Sequence, residues 1–195
     1  MRLSSGLTGR EVAEKMLRDA GINNVQVLST TGRLTDHYNP ANKTIRLSEV
    51  VYDSNSVAAA AVAAHETGHA IQDALGYAPL RLRSTMVPVV SFAGSLVQWV
   101  LLAGILLIRV FPGLLLLGIV LFGVTTLFSL ITLPVEIDAS RRALEWLRTS
   151  GVTSSQQQPM ATSALKAAAY TYVVAALGSL VTLLYYLSIY TNNRR

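Results

Sequence analysis

The stretch VAAHETGHAIQ, from Val62 to Gln72, places two histidines four residues apart, with a glutamate directly after the first. On a helix, His65 and His69 lie one above the other, with Cβ atoms about 5–6 Å apart, so both can bind one metal ion. Glu66 lies at the edge of the same face, where it reaches a water at the metal rather than the metal itself. Chance produces this H-E-x-x-H pattern about 0.001 times in such a chain, so the pattern predicts a zinc-binding helix.

The rest of the sequence is poor in charge. Charged residues make up 14% of it, against about 25% in ordinary soluble domains. Between Arg83 and Glu136 the only charged residue is Arg109, and between Lys166 and Arg194 there is none. Soluble helices of such length keep a charged face, so a large soluble helical core is the weaker interpretation. The uncharged stretches predict three transmembrane helices, at about 86–108, 112–135 and 168–190.

The first 83 residues have the composition of a soluble domain. A capping box at Thr8 and Glu11 predicts a helix that ends near Gly21. Short apolar runs separated by turn residues predict strands at Val25–Leu28, Leu34–Tyr38 and Thr44–Leu47. Alanines after the N-cap candidates at 53–56 extend the helix of the H-E-x-x-H motif to a stop at Gly76.

These elements predict an α+β membrane protein. A small soluble head of helices and strands, residues 1–83, includes the H-E-x-x-H helix. The transmembrane region, residues 84–195, contains about three spans and a loop at 136–167. That loop contains a helix, followed by a polar linker at residues 152–163.

The basic residues predict the orientation of the chain in the membrane. Nine lysines and arginines lie in residues 1–83 and four in 136–167, whereas only Arg109, Arg194 and Arg195 lie on the other side. By the positive-inside rule, the head and the 136–167 loop are cytoplasmic. We expect a bacterial inner membrane, in keeping with the absence of cysteine and of a signal peptide. No basic–aromatic cluster or nucleic-acid motif is present, so we expect no nucleic-acid partner.

Catalytic zinc requires a third protein ligand and an open fourth position. His37 is the only other histidine, and Gln72 and Leu75 occupy the places of the glycine and third histidine of the longer histidine-rich motif. Glu136 and Asp138, in LPVEIDASRRALEWL, follow the second span directly. A carboxylate so close to hydrocarbon is costly unless it is paired or metal-bound.

We therefore predict Glu136 as the third ligand, with Asp138 as the alternative. The competing interpretation of this segment is a helix at the membrane surface that pairs its own charges, for instance Asp138 with Arg141 or Arg142.

Three blocks together, LTDHYNPANKTIRLS, AAHETGHAIQ and LPVEIDASRRAL, resemble the bacterial YugP-type membrane zinc metallopeptidases and, more distantly, the HtpX and CAAX-prenyl-protease group. The resemblance runs from about Leu7 to the last span. It implies a gluzincin-like zinc site with His65, His69 and Glu136 as ligands and Glu66 as catalytic base. HtpX-like proteins have an aspartate four residues after the ligand glutamate, where this sequence has Ser140. Family members usually begin with a further membrane helix, ahead of the region that this sequence covers.

The functional hypothesis is a zinc-dependent membrane endopeptidase that hydrolyses peptide bonds with a zinc-activated water and Glu66 as general base. His37 or Tyr38 is predicted to stabilise the developing oxyanion, and Thr44–Leu47 to act as an edge strand that pairs with an extended substrate. The expected partners are protein or peptide substrates, including membrane proteins, and the lipid bilayer. The alternative is a non-catalytic membrane scaffold or adaptor with a metal-binding head, although a structural zinc site needs four ligands, usually including cysteine.

Overall fold

The computed structural model describes residues 1–193, so Arg194 and Arg195, used in the charge count, lie outside the described residues. The described part of the chain is mostly helical with a small sheet, consistent with the predicted α+β class. Its elements follow the order α1 (Gly9–Asp19), β1 (Gln26–Thr30), β2 (His37–Asn39), β3 (Thr44–Ser48), α2 (Glu49–Tyr52), α3 (Val57–Ala74), α4 (Ala78–Leu106), α5 (Pro112–Thr149) and α6 (Gln158–Asn192).

Helix α1 begins with the capping box that the sequence predicts. The Thr8 backbone N–H donates to Glu11 Oε2 at 2.8 Å, and the Glu11 backbone N–H donates to Thr8 Oγ1 at 3.3 Å. These reciprocal bonds satisfy amides that have no partner inside the helix. After the helix, Gly21 has φ +69°, a conformation that glycine adopts at little cost.

The sheet has the order β1-β3-β2, with β1 parallel and β2 antiparallel to β3. The prediction that Thr44–Leu47 is an edge strand is therefore wrong. Strand β3 is central, with Ile45 and Leu47 fully buried, and its backbone is already paired on both sides. Strand β2 begins later than predicted because Leu34 has φ +58° and lies in a bend of the chain. The edges of the sheet are β1 and β2.

Helix α3 carries the H-E-x-x-H motif. Ser56 caps it by accepting a hydrogen bond from the Ala59 backbone N–H at 3.2 Å, and Gly76, with φ +66°, follows its end. Small side chains on α3, including Ala60 and Ala64, are buried in one apolar core with residues of α1 such as Met16. Since side-chain size sets the distance between packed helices, the alanines allow α3 to lie close to its neighbours.

Helices α4, α5 and α6 are long and apolar enough to cross a membrane. Large apolar side chains on them are exposed, among them Trp99 at 69% and Val181 at 66%. Such surfaces are favourable in hydrocarbon and costly in water. The polar linker is shorter than predicted, because α6 already begins at Gln158; Ser, Thr and Gln residues near a helix start serve as caps as readily as they form loops.

The chain divides into two compact units. The first joins Met1–Leu80 to Val135–Tyr170, and the second consists of Arg81–Pro134 and the described part of Thr171–Arg195. In the second unit, Leu101, Leu115 and Ile119 form a small apolar core. The first unit contains the H-E-x-x-H helix, the sheet and the segment after the second predicted span.

Candidate metal centre

Two helices of the first unit bring together two histidines and a carboxylate. Helix α3 supplies His65 and His69, and α5 supplies Glu136 from the residues directly after Pro134. One ligand atom from each of the three side chains lies within 4.8 Å of the others. The Glu136 side chain is 2% exposed, and it approaches His65 Nε2 at 3.1 Å and His69 Nε2 at 3.6 Å through the same oxygen.

The approach of the two helices depends on Gly68. A Cβ atom at this position would lie 2.7 Å from the Ala139 carbonyl oxygen and 3.2 Å from its Cα, both backbone atoms of α5. Real Cβ contacts are longer, so any larger residue would push the helices apart. The glycine between the two histidines therefore allows Glu136 to reach them.

The Nδ1 atoms of both imidazoles are occupied by hydrogen bonds. His65 Nδ1 lies 3.1 Å from Ser140 Oγ, and His69 Nδ1 lies 3.0 Å from Gln72 Oε1. Since the amide oxygen of Gln72 only accepts, His69 carries a proton on Nδ1, and Nε2 is the ring nitrogen that a metal can bind. The bond to Ser140 holds His65 in the matching orientation.

Gln72 is itself held by α5. Its amide nitrogen donates to the Val135 carbonyl at 2.8 Å and to Asp138 Oδ2 at 2.9 Å. Asp138 also accepts from Arg141 and Arg142, each at 2.6 Å. The alternative third ligand, Asp138, is therefore not part of the His–His–Glu group, and the arginine pairing expected for a surface helix is present.

Gln72 and Ser140 are functional candidates that the sequence reasoning did not assign. Ser140 lies four residues after Glu136 and therefore on the same face of α5, at the place of the aspartate in the HtpX-like pattern. Gln72 lies three residues after His69 on α3. Helical spacing could have pointed to both, but only the packed helices show which imidazole each side chain contacts.

The centre favours a positive charge. Burial lowers the pKa of His69, but the hydrogen bond with Glu136 and the negative charge of Glu66 act in the opposite direction, and the pKa lies above its ordinary value. The buried carboxylates of Glu66 and Glu136 carry negative charge that two neutral imidazoles do not balance, and an unbalanced charge is costly away from water. A divalent cation would supply the missing charge.

Glu66 lies beside the centre but is not one of the three grouped side chains. It is 8% exposed, and no group within residues 1–193 forms a hydrogen bond or ion pair with its carboxylate. Its charge nevertheless acts on His69. A buried carboxylate without a protein partner is available to a water molecule or a substrate.

The two predicted oxyanion-stabilising residues lie on β2, outside the grouped side chains. His37 is exposed, and its Nδ1 donates to the Thr35 carbonyl at 2.7 Å. The Tyr38 hydroxyl donates to Asp73 Oδ2 at 2.6 Å, and Lys43 contacts the same oxygen at 2.5 Å. Burial, and then the bond to Asp73, raise the pKa of Tyr38, so its hydroxyl remains protonated.

The donor atoms fit zinc. Two imidazole nitrogens and one carboxylate are the ligand set of one class of catalytic zinc sites, which leave a fourth position open. The hydrogen bonds at both Nδ1 atoms are the outer contacts that zinc-binding histidines usually have. Within the described residues, no other group of three such side chains lies close enough to share an ion.

Comparisons with known proteins agree with this chemistry. Residues 1–191 match the family described as "Putative neutral zinc metallopeptidase". The protein named "Putative membrane protease YugP" from Bacillus subtilis (strain 168) is 44% identical over 191 residues, which cover 98% of this chain and 84% of the relative. No solved structure matches the chain.

The first prediction concerns Gly68. Gly68→Ala should lower the affinity for zinc by about tenfold or more, because the added Cβ pushes α5 and Glu136 away from the histidines. Zinc competition with a chromophoric chelator measures this. Gly94→Ala and Gly178→Ala are matched controls, since both are helical glycines with open space around the added Cβ. Unchanged zinc affinity in Gly68→Ala would contradict the proposed role of the close approach.

The second prediction concerns Ser140. Ser140→Ala should weaken zinc binding by about 10–100-fold while the helix content stays unchanged, because His65 loses the contact that orients its ring. Ser140→Thr retains the hydroxyl and should recover part of the affinity. The control is Ser163→Ala, an exposed serine of α6. Equal zinc affinity in Ser140→Ala and wild type would show that Ser140 does not orient His65.

Proposed function

The chain belongs to the neutral zinc metallopeptidase family, and on that premise we propose that it is a zinc-dependent endopeptidase of the membrane. The observation that carries the proposal is the grouping of His65, His69 and Glu136 within 4.8 Å, beside Glu66, a buried glutamate that makes no hydrogen bond or ion pair within residues 1–193. The name of the relative, a membrane protease, points in the same direction.

His65, His69 and Glu136 would hold the zinc ion, the histidines through their Nε2 atoms. When bound, zinc supplies a Lewis acid for a carbonyl oxygen and lowers the pKa of a water molecule to about 7. The contribution of the protein is to hold the three side chains in place. Ser140 and Gln72 keep the two rings oriented, and the packing around Gly68 keeps Glu136 close to them.

Glu66 would act as the general base. Its carboxylate accepts a proton from the attacking water and later donates that proton to the leaving amine. The side chain is suited to this role because it is buried, acts electrostatically on His69 and makes no hydrogen bond within residues 1–193. Tyr38 and His37 remain candidates for stabilising the oxyanion, and the raised pKa of Tyr38 keeps it a hydrogen-bond donor.

The proposed membrane topology limits the class of substrate that can reach the centre. We propose that residues 1–83 and 136–167 lie on the cytoplasmic side of a bacterial inner membrane, because thirteen of the sixteen basic residues are in these segments. Glu136 directly follows the predicted span at 112–135. A centre so close to the bilayer surface would act on membrane proteins or on peptide segments that emerge from the membrane.

The third prediction tests Glu66. Glu66→Gln should retain stoichiometric zinc and lower the rate of casein cleavage by about 100-fold or more, because the amide cannot accept the proton. Zinc content and cleavage are measured on the same preparation. Glu49→Gln is the matched control, as Glu49 is exposed and lies on α2. Wild-type activity in Glu66→Gln would refute the base assignment, and zinc-loaded wild type that cleaves no peptide would favour a scaffold.

The fourth prediction separates the two candidate ligands. Glu136→Ala should lose zinc, whereas Asp138→Ala should keep one equivalent with a moderately weaker affinity, because Asp138 acts only through Gln72. Metal analysis after gel filtration measures the zinc content, and circular dichroism checks the helix content of both variants. The opposite pattern would move the third ligand to Asp138.

A further inference from the structure

A groove of about 620 Å³ runs between two helical segments of the first unit, residues 137–148 of α5 and residues 158–169 of α6. We call it the interhelical groove. Its volume is within the range of about 300–1,000 Å³ that is usual for ligand sites. Its wall is largely apolar and includes Ile137, Leu144 and Leu165. The metal centre does not use these side chains.

Positive charge dominates the polar part of the groove. Arg141, Arg148 and Lys166 line it, against Glu145 as the one acidic side chain among its lining residues. Lys166 makes no ion pair with any group in residues 1–193. Glu145 lies 3.6 Å from Arg148, and its charge also acts on Arg141, which pairs with Asp138 at 2.6 Å. An anionic ligand would therefore find in Lys166 a cation that no acidic side chain of the described residues pairs with.

The two walls directly continue the predicted membrane spans. The α5 wall follows the span at 112–135, and the α6 wall precedes the span at 168–190. Each wall of twelve residues is about 18 Å long at 1.5 Å per residue. The headgroup region of one leaflet is about 5–8 Å thick, so on this topology the groove begins at the hydrocarbon boundary and passes the phosphate level.

We propose that the interhelical groove binds one anionic phospholipid. Its phosphate lies beside Lys166 and Arg141, and the first part of an acyl chain covers the apolar wall. A free phosphate would leave that apolar wall exposed to water, whereas a lipid covers it. A lipid also reaches the groove directly from the bilayer, where basic residues near the surface attract anionic lipids. The proposal goes beyond the peptidase function and requires no bound zinc.

The test uses the full chain in detergent and native mass spectrometry. Wild type should retain dioleoyl phosphatidylglycerol about tenfold more strongly than dioleoyl phosphatidylcholine. The double variant Arg141→Gln/Lys166→Gln should lose this preference. The double variant Arg18→Gln/Arg33→Gln is the matched control, because it removes the same charge from exposed positions outside the groove and should keep the preference.

A second variant tests the groove separately from its charge. Thr162→Trp fills the groove and leaves all three cations in place, so it should also lose tight phosphatidylglycerol binding. Unchanged binding in this variant, or equal retention of both lipids by wild type, would overturn the proposal. Displacement of the lipid by soluble glycerol phosphate would assign a free-phosphate site instead. Groove-dependent binding of an acidic peptide, with no lipid preference, would assign a peptide site. The melting temperature of each variant shows that it is folded.

Discussion

The contact of the buried Glu136 carboxylate with His65 and His69 is the interaction on which the first unit depends. A carboxylate that is 2% exposed is tolerated only when opposite charge or hydrogen bonds replace its lost water. His65 forms a hydrogen bond with the carboxylate at 3.1 Å and His69 lies within ion-pair distance at 3.6 Å, while Gly68 provides the space that lets α5 come this close. The packing of α3 against α5 and the proposed metal binding therefore both require the two helices to approach closely at Gly68.

Polar side chains around the centre fix the orientation of its two imidazole rings. Ser140 binds one Nδ1 atom and Gln72 the other, so both Nε2 atoms face the same carboxylate oxygen. Gln72 in turn is tied to Asp138, which two arginines hold. Networks of this kind limit the rotation of each ring, and a site that is already arranged loses less entropy when it binds an ion.

Residues of α5 after Pro134 contribute both to the metal centre and to the interhelical groove. Glu136 and Ser140 face the histidines of α3, and Ser140 also lies in the wall of the interhelical groove with Arg141 and Lys166. The side chain that orients His65 is therefore next to the proposed lipid. If both proposals hold, Ser140 connects the metal centre to the lipid that occupies the groove.

The sequence by itself determined most of the elements and the three helices that are apolar and long enough to cross a membrane. The capping box at Thr8, the alanine-rich helix of the H-E-x-x-H motif and the three apolar stretches are local patterns, and each is present in the structure. Pairing order and long-range contacts were decided only by the tertiary structure. The central position of β3 was mispredicted, because a five-residue strand does not encode its neighbours. The pairing of Ser140 with His65, across 75 residues, depends on two helices packed against a glycine, which no local pattern records.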